Sequence, residues 1–457
     1  MNNFDETYYI DFGLTQFVSI FLSLSIILIS IVGFVSDKSY RSRFIWFVNF
    51  FWSSLLLLNR TRLSGLQIEW TLVEQVLINF VIFIPSTLIL YLMSILPIRN
   101  INSTYQKTYL SDISRIDAAI MLKVLKIFIF VISIIFIVDL IIYGAPIFSM
   151  NLGSAILNDT RLSARTPILY TFAHSWVLIA VIAASMLVFN HGIAKRWLST
   201  IVMLYIFHSI LMFGRGTVIY MFAAILLCFF IFSKRTNINK ILIVIIPILL
   251  VLILFSVAGT LRQSLGDKDS LIPFSIVEYG LFNNNTPEFF SWLYGYAVIN
   301  FDNLILCIRD FQVRDEIGFK TLLNFAPSFI GELLNMEYSS RSVDGIQTLP
   351  YVGRFNLPTA YGSIGYDYGW IGVFTYSLFI FSVLPIIFFK NFTNLGPSAK
   401  IFLVYLVLSF LFITITNMIL TSRILGFISG IVLFNVIFQV FKQNKKNLYQ
   451  IGKEKIS

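Results

Sequence analysis

The sequence predicts an all-α polytopic membrane protein with about eleven transmembrane helices and one large outer loop. Three observations carry this. The 457-residue chain is 57% hydrophobic and only 12% charged, with a mean hydropathy of +0.83, whereas soluble domains carry about 25% charged residues. Apolar runs recur along it, many close to the ~20 residues that a membrane crossing needs. Lysines and arginines collect in alternate connections between those runs, as the positive-inside rule requires.

The runs, in order, are 14–35, 44–58, 72–96, 120–143, 168–190, 197–213, 216–233, 241–258, 368–389, 400–421 and 424–441. "MNNFDETYYIDF" precedes the first and holds no Lys or Arg. It lacks the basic n-region of a cleavable leader, so the first run is expected to stay as a membrane helix. Residues 1–258 then hold helices 1–8, 259–367 the large outer loop with interfacial helices, 368–441 helices 9–11, and 442–457 a basic tail. Cys228 falls in a membrane helix and Cys307 in the outer loop, so the two are not expected to pair. The net charge of +10 reflects topology rather than nucleic-acid binding.

Orientation follows from the sides. Lys38, Arg41, Arg43, Lys107, Lys123, Lys126, Lys195, Lys234, Lys240, Lys390, Lys400 and the tail lysines share one side, read as cytoplasmic. The N-terminus is then outside, the C-terminus inside, and 259–356 faces outward. The outer set is arginine-rich: Arg60, Arg62, Arg161, Arg165, Arg215, Arg262, Arg309, Arg314, Arg341, Arg354 and Arg423, with Lys268 and Lys320 as its lysines. Lysine suffices for topology, but arginine's planar fork suits phosphate and carboxylate. Each arginine has two readings, an ion pair at the surface or a contact to an anionic ligand. The group as a whole favours an outer anionic ligand.

The loop 259–356 is too long for a passive connector. Within it "EFFSWLYGYAVINFDNLILCI" (288–308) is apolar but broken by Gly295, Asn300, Asp302 and Asn303. It reads as an interfacial or re-entrant helix. Its aromatics Phe289, Phe290, Trp292, Tyr294 and Tyr296 suit a headgroup layer or sugar stacking. No P-loop, GxSxG, HExxH or Cys/His cluster occurs. His174 and His208 lie toward the outer ends of membrane helices, where packing is the commoner role, and His191 lies on the cytoplasmic side.

One stretch asks for a reason of its own: "FNLPTAYGSIGYDYGWIGVF", Phe355 to Phe374. On a continuous helix Gly362, Gly365, Gly369 and Gly372 would fall within an arc of about 80° at ~100° per residue. Such a stripe lets helices approach closely in a membrane. Asp367 would sit opposite it, facing an outward cavity because a carboxylate in lipid is costly. The alternative is a loose glycine loop with Asp367 paired to an arginine.

A series of motifs now lines up: "GAP", a loop with spaced arginines, "GRG" opening a helix, an Arg after the next run, then the large loop ending in "NLPTAYGSIGYDYGWIGVF". Over roughly 140–390 this resembles the bacterial Wzy-type O-antigen and capsule repeat-unit polymerases. The resemblance implies a GT-C-like helical fold, with the large loop periplasmic, in the bacterial inner (cytoplasmic) membrane. It implies a glycosyltransferase that moves a growing chain from undecaprenyl pyrophosphate onto a new lipid-linked repeat unit. Such enzymes need no metal or nucleotide sugar, and their chain length usually depends on a partner regulator. By the same resemblance Arg215, Arg262, Arg161, Arg165 and Arg423 would hold pyrophosphate, and Tyr361, Tyr366 and Tyr368 would meet sugar. Asp367, Glu278 and Asp302 are the acids available as a base. Related O-antigen ligases place a His in the large loop, and 259–356 has none. A lipid-linked oligosaccharide flippase would show repeated halves, which this sequence lacks.

Overall fold

The apolar runs fold as helices. In the computed structural model, residues 6–37, 40–61, 68–95, 113–143, 167–211, 215–232, 288–314, 361–389, 396–412 and 422–454 are described. Among them lie α1 (Glu6–Ser36), α2 (Tyr40–Arg60), α3 (Leu72–Ile95), α4 (Arg115–Tyr143), α5 (Pro167–His191) and α6 (Lys195–Leu211). Next come α7 (Arg215–Phe232), α8 (Glu288–Arg314), α9 (Gly362–Phe389), α10 (Pro397–Leu411) and α11 (Ser422–Glu454). Ten of the eleven apolar runs coincide with a helix; 241–258 lies outside the described residues. The run at 400–421 is helical only to Leu411, beyond which 413–421 is likewise outside them.

Five stretches are long and apolar enough to cross a membrane: Thr15–Ser36, Leu72–Leu92, Arg115–Ile142, Phe172–His191 and Ile424–Asn444. Their outward faces are oily. Phe17, Phe21, Leu28 and Val32 on α1, Phe130, Ile137 and Ile141 on α4, and Val432 and Val436 on α11 are exposed. Apolar surface on that scale belongs against lipid rather than water. The chain is an all-helical, membrane-embedded bundle in its described parts.

Two packed cores form. In the first, α5 is surrounded by α4, α6, α7, α10 and α11. Its "AVIAAS" segment is fully buried, because small side chains let five neighbours close on one helix. Gly430 gives α11 the same freedom: a Cβ there would lie 2.5 Å from Trp176 and Ile179 side-chain atoms. Contact pairs set the directions. Phe136 stacks on His208, Tyr220 meets Phe412, Ser398 bonds Asn435, and Trp176 donates to the Gly426 carbonyl. Helices α5, α7 and α11 therefore run one way and α4, α6 and α10 the other.

The second core joins α2, α3, α8 and α9, with α1 laid along α2 and α3. Polar side chains pin these helices inside the apolar setting. Ser23 donates to Asn79 at 2.8 Å, and Asn49 and Ser86 exchange hydrogen bonds at 2.8 and 2.9 Å. Ser86 follows Pro85, which interrupts the α3 hydrogen-bond ladder; Ser86 and Thr87 both bond the Phe83 carbonyl. Phe381 on Phe410 links the two cores.

Candidate functional site

The glycine stretch does not build one continuous helix. Gly369 adopts φ 58° and ψ −150°, a conformation open to glycine alone among common residues. Tyr361 and Tyr376 nevertheless touch, with ring centroids 5.6 Å apart. On a straight helix fifteen residues would rise about 22 Å. Gly365 faces Val373, and Gly372 faces Ile364 and Tyr368. The chain thus folds back at Gly369 into a helical hairpin, with arms 362–368 and 370–389. The expected stripe of four glycines is revised accordingly. Gly369 makes the turn, Gly372 lets the arms meet, and Gly365 seats the short arm on Leu304 and Ile308 of α8.

The hairpin also relocates the predicted sugar contacts and acid. Tyr361 is fully buried between Trp52 and Tyr376. Tyr366 is buried, and Tyr368 keeps partial exposure. Asp367 is fully buried, not turned to an outward cavity, because the fold-back closes the short arm on its neighbours.

Helix α8 brings a second carboxylate inside. Asp302 is fully buried and paired with Arg60, which is 2% exposed, at 3.3 Å. Asn59 Nδ2 donates to Asp302 Oδ2 at 2.8 Å, and Trp70 Nε1 to Oδ1 at 2.8 Å. The Arg60 guanidinium stands over the Trp70 ring, 3.4 Å from its centroid, a favourable cation–π placement. Asn59 also donates to the Val298 carbonyl, and Tyr294 to that of Leu58. With both oxygens engaged, Asp302 neutralises a buried arginine. That assignment replaces its expected role as an available base.

At the far end of α8, Arg309 grips Glu74 with two bonds, Nε to Oε1 at 2.6 Å and Nη2 to Oε2 at 2.7 Å. It also bonds the Glu69 carbonyl. The hydrogen bonding that Arg309 gives to the Glu74 carboxylate is the main reason its guanidinium is held protonated beyond its usual range. Glu74 in turn closes a capping box with Thr71 at the start of α3, a "T-x-x-E" signature visible in the sequence. From Tyr294 to Arg309 helix α8 rises about 22 Å. Its polar partners nonetheless stay at the last turn of α2 and the first of α3. It crosses those helix ends rather than running beside them. The stretch read as an interfacial or re-entrant helix is helical, continuous from Glu288 to Arg314, and its Asn300, Asp302 and Asn303 are buried.

Five arginines were expected near an anion. Helix α7 begins at Arg215, and Arg423 lies in the first turn of α11. Helix α5 begins at Pro167, two residues after Arg165. Given the helix directions, the N-termini of α5, α7 and α11 open at one end of the first core. Helix N-termini carry partial positive charge and unpaired N–H groups, which favour anions. Arg161, Arg165, Arg262 and Glu278, and the side chains of Arg215 and Arg423, lie outside the described residues.

Near that end a polar group sits among apolar spans. Asp139 of α4 and His208 of α6 are buried, with Oδ2 and Nε2 3.6 Å apart. His208 stacks on Phe136 at 3.8 Å, and His174 shares a 2.6 Å hydrogen bond with the Tyr205 hydroxyl. Sequence reasoning placed both histidines but missed Asp139. Its signal was a carboxylate inside an apolar run, "IVDLIIY". Cys228 and Cys307 are buried free thiols. Comparison of the chain with family models, with curated proteins and with solved structures finds no match.

Proposed function

We propose that this chain is a Wzy-type glycosyltransferase. It would polymerise undecaprenyl-pyrophosphate-linked oligosaccharide repeat units at the outer face of the bacterial inner membrane. The observation that supports this best is the meeting of three helix N-termini at one end of a membrane bundle; in the sequence Arg215 opens α7, Arg423 is the second residue of α11, and Arg161 and Arg165 precede α5. A lipid-linked pyrophosphate has the charge such an end favours. Arg262, after the run 241–258, joins this group by the sequence resemblance. The N-terminus and the end bearing the arginines face outward, and the lysine-rich end faces the cytoplasm.

In this reading an acceptor sugar hydroxyl on a new repeat unit attacks the anomeric carbon of the growing chain. The carbon–oxygen bond to the pyrophosphate breaks, and undecaprenyl pyrophosphate leaves. The arginines meet the negative charge that grows on the departing group, which is electrostatic stabilisation by preorganised donors. The hydroxyl proton passes to Glu278; Asp367 is fully buried in the short arm of the hairpin, and Asp302 is engaged with Arg60, Asn59 and Trp70. Tyr368, the tyrosine of the three with exposed surface, is the aromatic assigned to sugar.

Deletion of the gene in its host, followed by electrophoresis of the surface glycolipids, tests the reading. Collapse of the ladder to core plus one repeat is expected. Loss of all repeats from the core with accumulation of lipid-linked polymer would make the protein a ligase. An unchanged ladder would overturn the proposal.

A further inference from the structure

The end of the first core opposite the arginines carries cations of a different kind. Lys123 and Lys126 of α4, and Lys195 and Arg196 of α6, are exposed, and no carboxylate pairs with them among the described residues. The nearby Asp117 is taken by Lys442 at 2.9 Å. Lys126 Nζ lies 5.3 Å from the Trp197 ring centroid, and Lys123 Nζ 5.7 Å from that of Phe441. Aromatic rings of α6 and α11 thus flank the two ammonium groups at one level.

Below them the surface turns apolar without a break. Ile127, Phe130, Ile134, Ile137 and Ile141 are exposed and share with Lys123 and Lys126 an arc of about 100° on α4. On the neighbouring α6, Arg196, Met203 and Phe207 are exposed and share an arc of about 40°. From Lys126 to Ile141 the stripe rises about 22 Å, enough for the ~15 Å of one leaflet's hydrocarbon.

We infer that this α4–α6 face binds an anionic phospholipid, its phosphate held by Lys123, Lys126 and Arg196 and its acyl chains laid along the two apolar stripes. The occupant comes from the leaflet at the lysine-rich end. Two features select an anionic lipid over a zwitterionic one. The cations have no protein counter-charge among the described residues, and they sit where a headgroup phosphate lies when the apolar stripe below is in hydrocarbon. The site is independent of the catalytic proposal.

The test is thermal unfolding of the purified full chain in a neutral detergent, titrated with dioleoylphosphatidylglycerol, dioleoylphosphatidylcholine or inorganic phosphate. The glycerol lipid is expected to raise Tm saturably while the other two leave it in place. The K123Q/K126Q variant, altered only at exposed positions, should need about thirty-fold more of that lipid for half-saturation, from the usual contribution of a lysine near an anionic surface. Equal shifts with the choline lipid, a shift with phosphate alone, or an unchanged half-saturation in the variant would each overturn the site.

Discussion

Tyr361 and Tyr376 stand fifteen positions apart in the chain, yet their rings pack edge to face 5.6 Å apart. That contact is the signature of the fold-back at Gly369. It makes the glycines of this stretch unequal, although the sequence presents them alike.

Replacing Gly369 by alanine should therefore be strongly destabilising. The backbone conformation alone costs about 1–3 kcal/mol for a residue with a side chain. The new Cβ would also stand 2.7 Å from Phe311. Gly396→Ala is the comparison, since nothing lies within 4 Å there and its φ is −60°. Thermal unfolding in detergent should show a large loss for the first and almost none for the second. Equal losses would remove the fold-back as the reason.

Asp302 and Arg60 form a pair whose halves depend on each other. Asp302→Ala should destabilise by about 3–5 kcal/mol, because it strands a buried guanidinium. A double change, Asp302→Leu with Arg60→Leu, should recover part of that loss. Measuring all the variants and their combination closes the cycle. A stable Asp302→Ala protein that has lost only activity would return Asp302 to the catalytic group.

The Arg309–Glu74 clasp is bidentate, but Arg309 is 36% exposed. Solvent screening limits such a pair to roughly 1 kcal/mol. Arg309→Lys should cost about that, since lysine cannot reproduce the fork. The Arg309 guanidinium is raised above its ordinary range in the folded chain, so its contribution is whole below that range and fades only above it. Arg309→Lys and the parent should accordingly differ by a constant amount between about pH 6 and pH 10. A difference that changes within that window would point to another group.

Arg215→Ala and Arg262→Ala should abolish long polymer while protein level stays normal. Loss of one preorganised donor commonly costs about 100- to 1000-fold in rate. Arg215→Lys keeps the charge and loses the fork, so it should retain more chain than alanine and less than the parent. Normal ladders in both alanine variants would remove these arginines from the site.

Much of the bundle was legible because a membrane helix announces itself by length and composition alone. Ten apolar runs coincide with helices for that reason. The hairpin was not legible, since periodicity assumes an unbroken helix and a glycine at positive φ looks like any other glycine. Nor was the burial of Asp302. Its partners Asn59, Arg60 and Trp70 lie more than 230 positions earlier, and no local pattern connects them. In sequence, Asn300, Asp302 and Asn303 only interrupt an apolar run. In space Asp302 is what the end of α2 requires.

That separation has a consequence for biogenesis. Ribosomes extend a chain at about 5–20 residues per second, so Asp302 is made about 10–50 s after Arg60. During that interval the end of α2 carries a cation whose counter-ion does not yet exist. The newborn α2–α3 pair must hold Arg60 toward water or a lipid phosphate until α8 arrives. Sealing of this end of the bundle is thus a late event in assembly, and a chain truncated before α8 would leave Arg60 as an open mark of incompleteness.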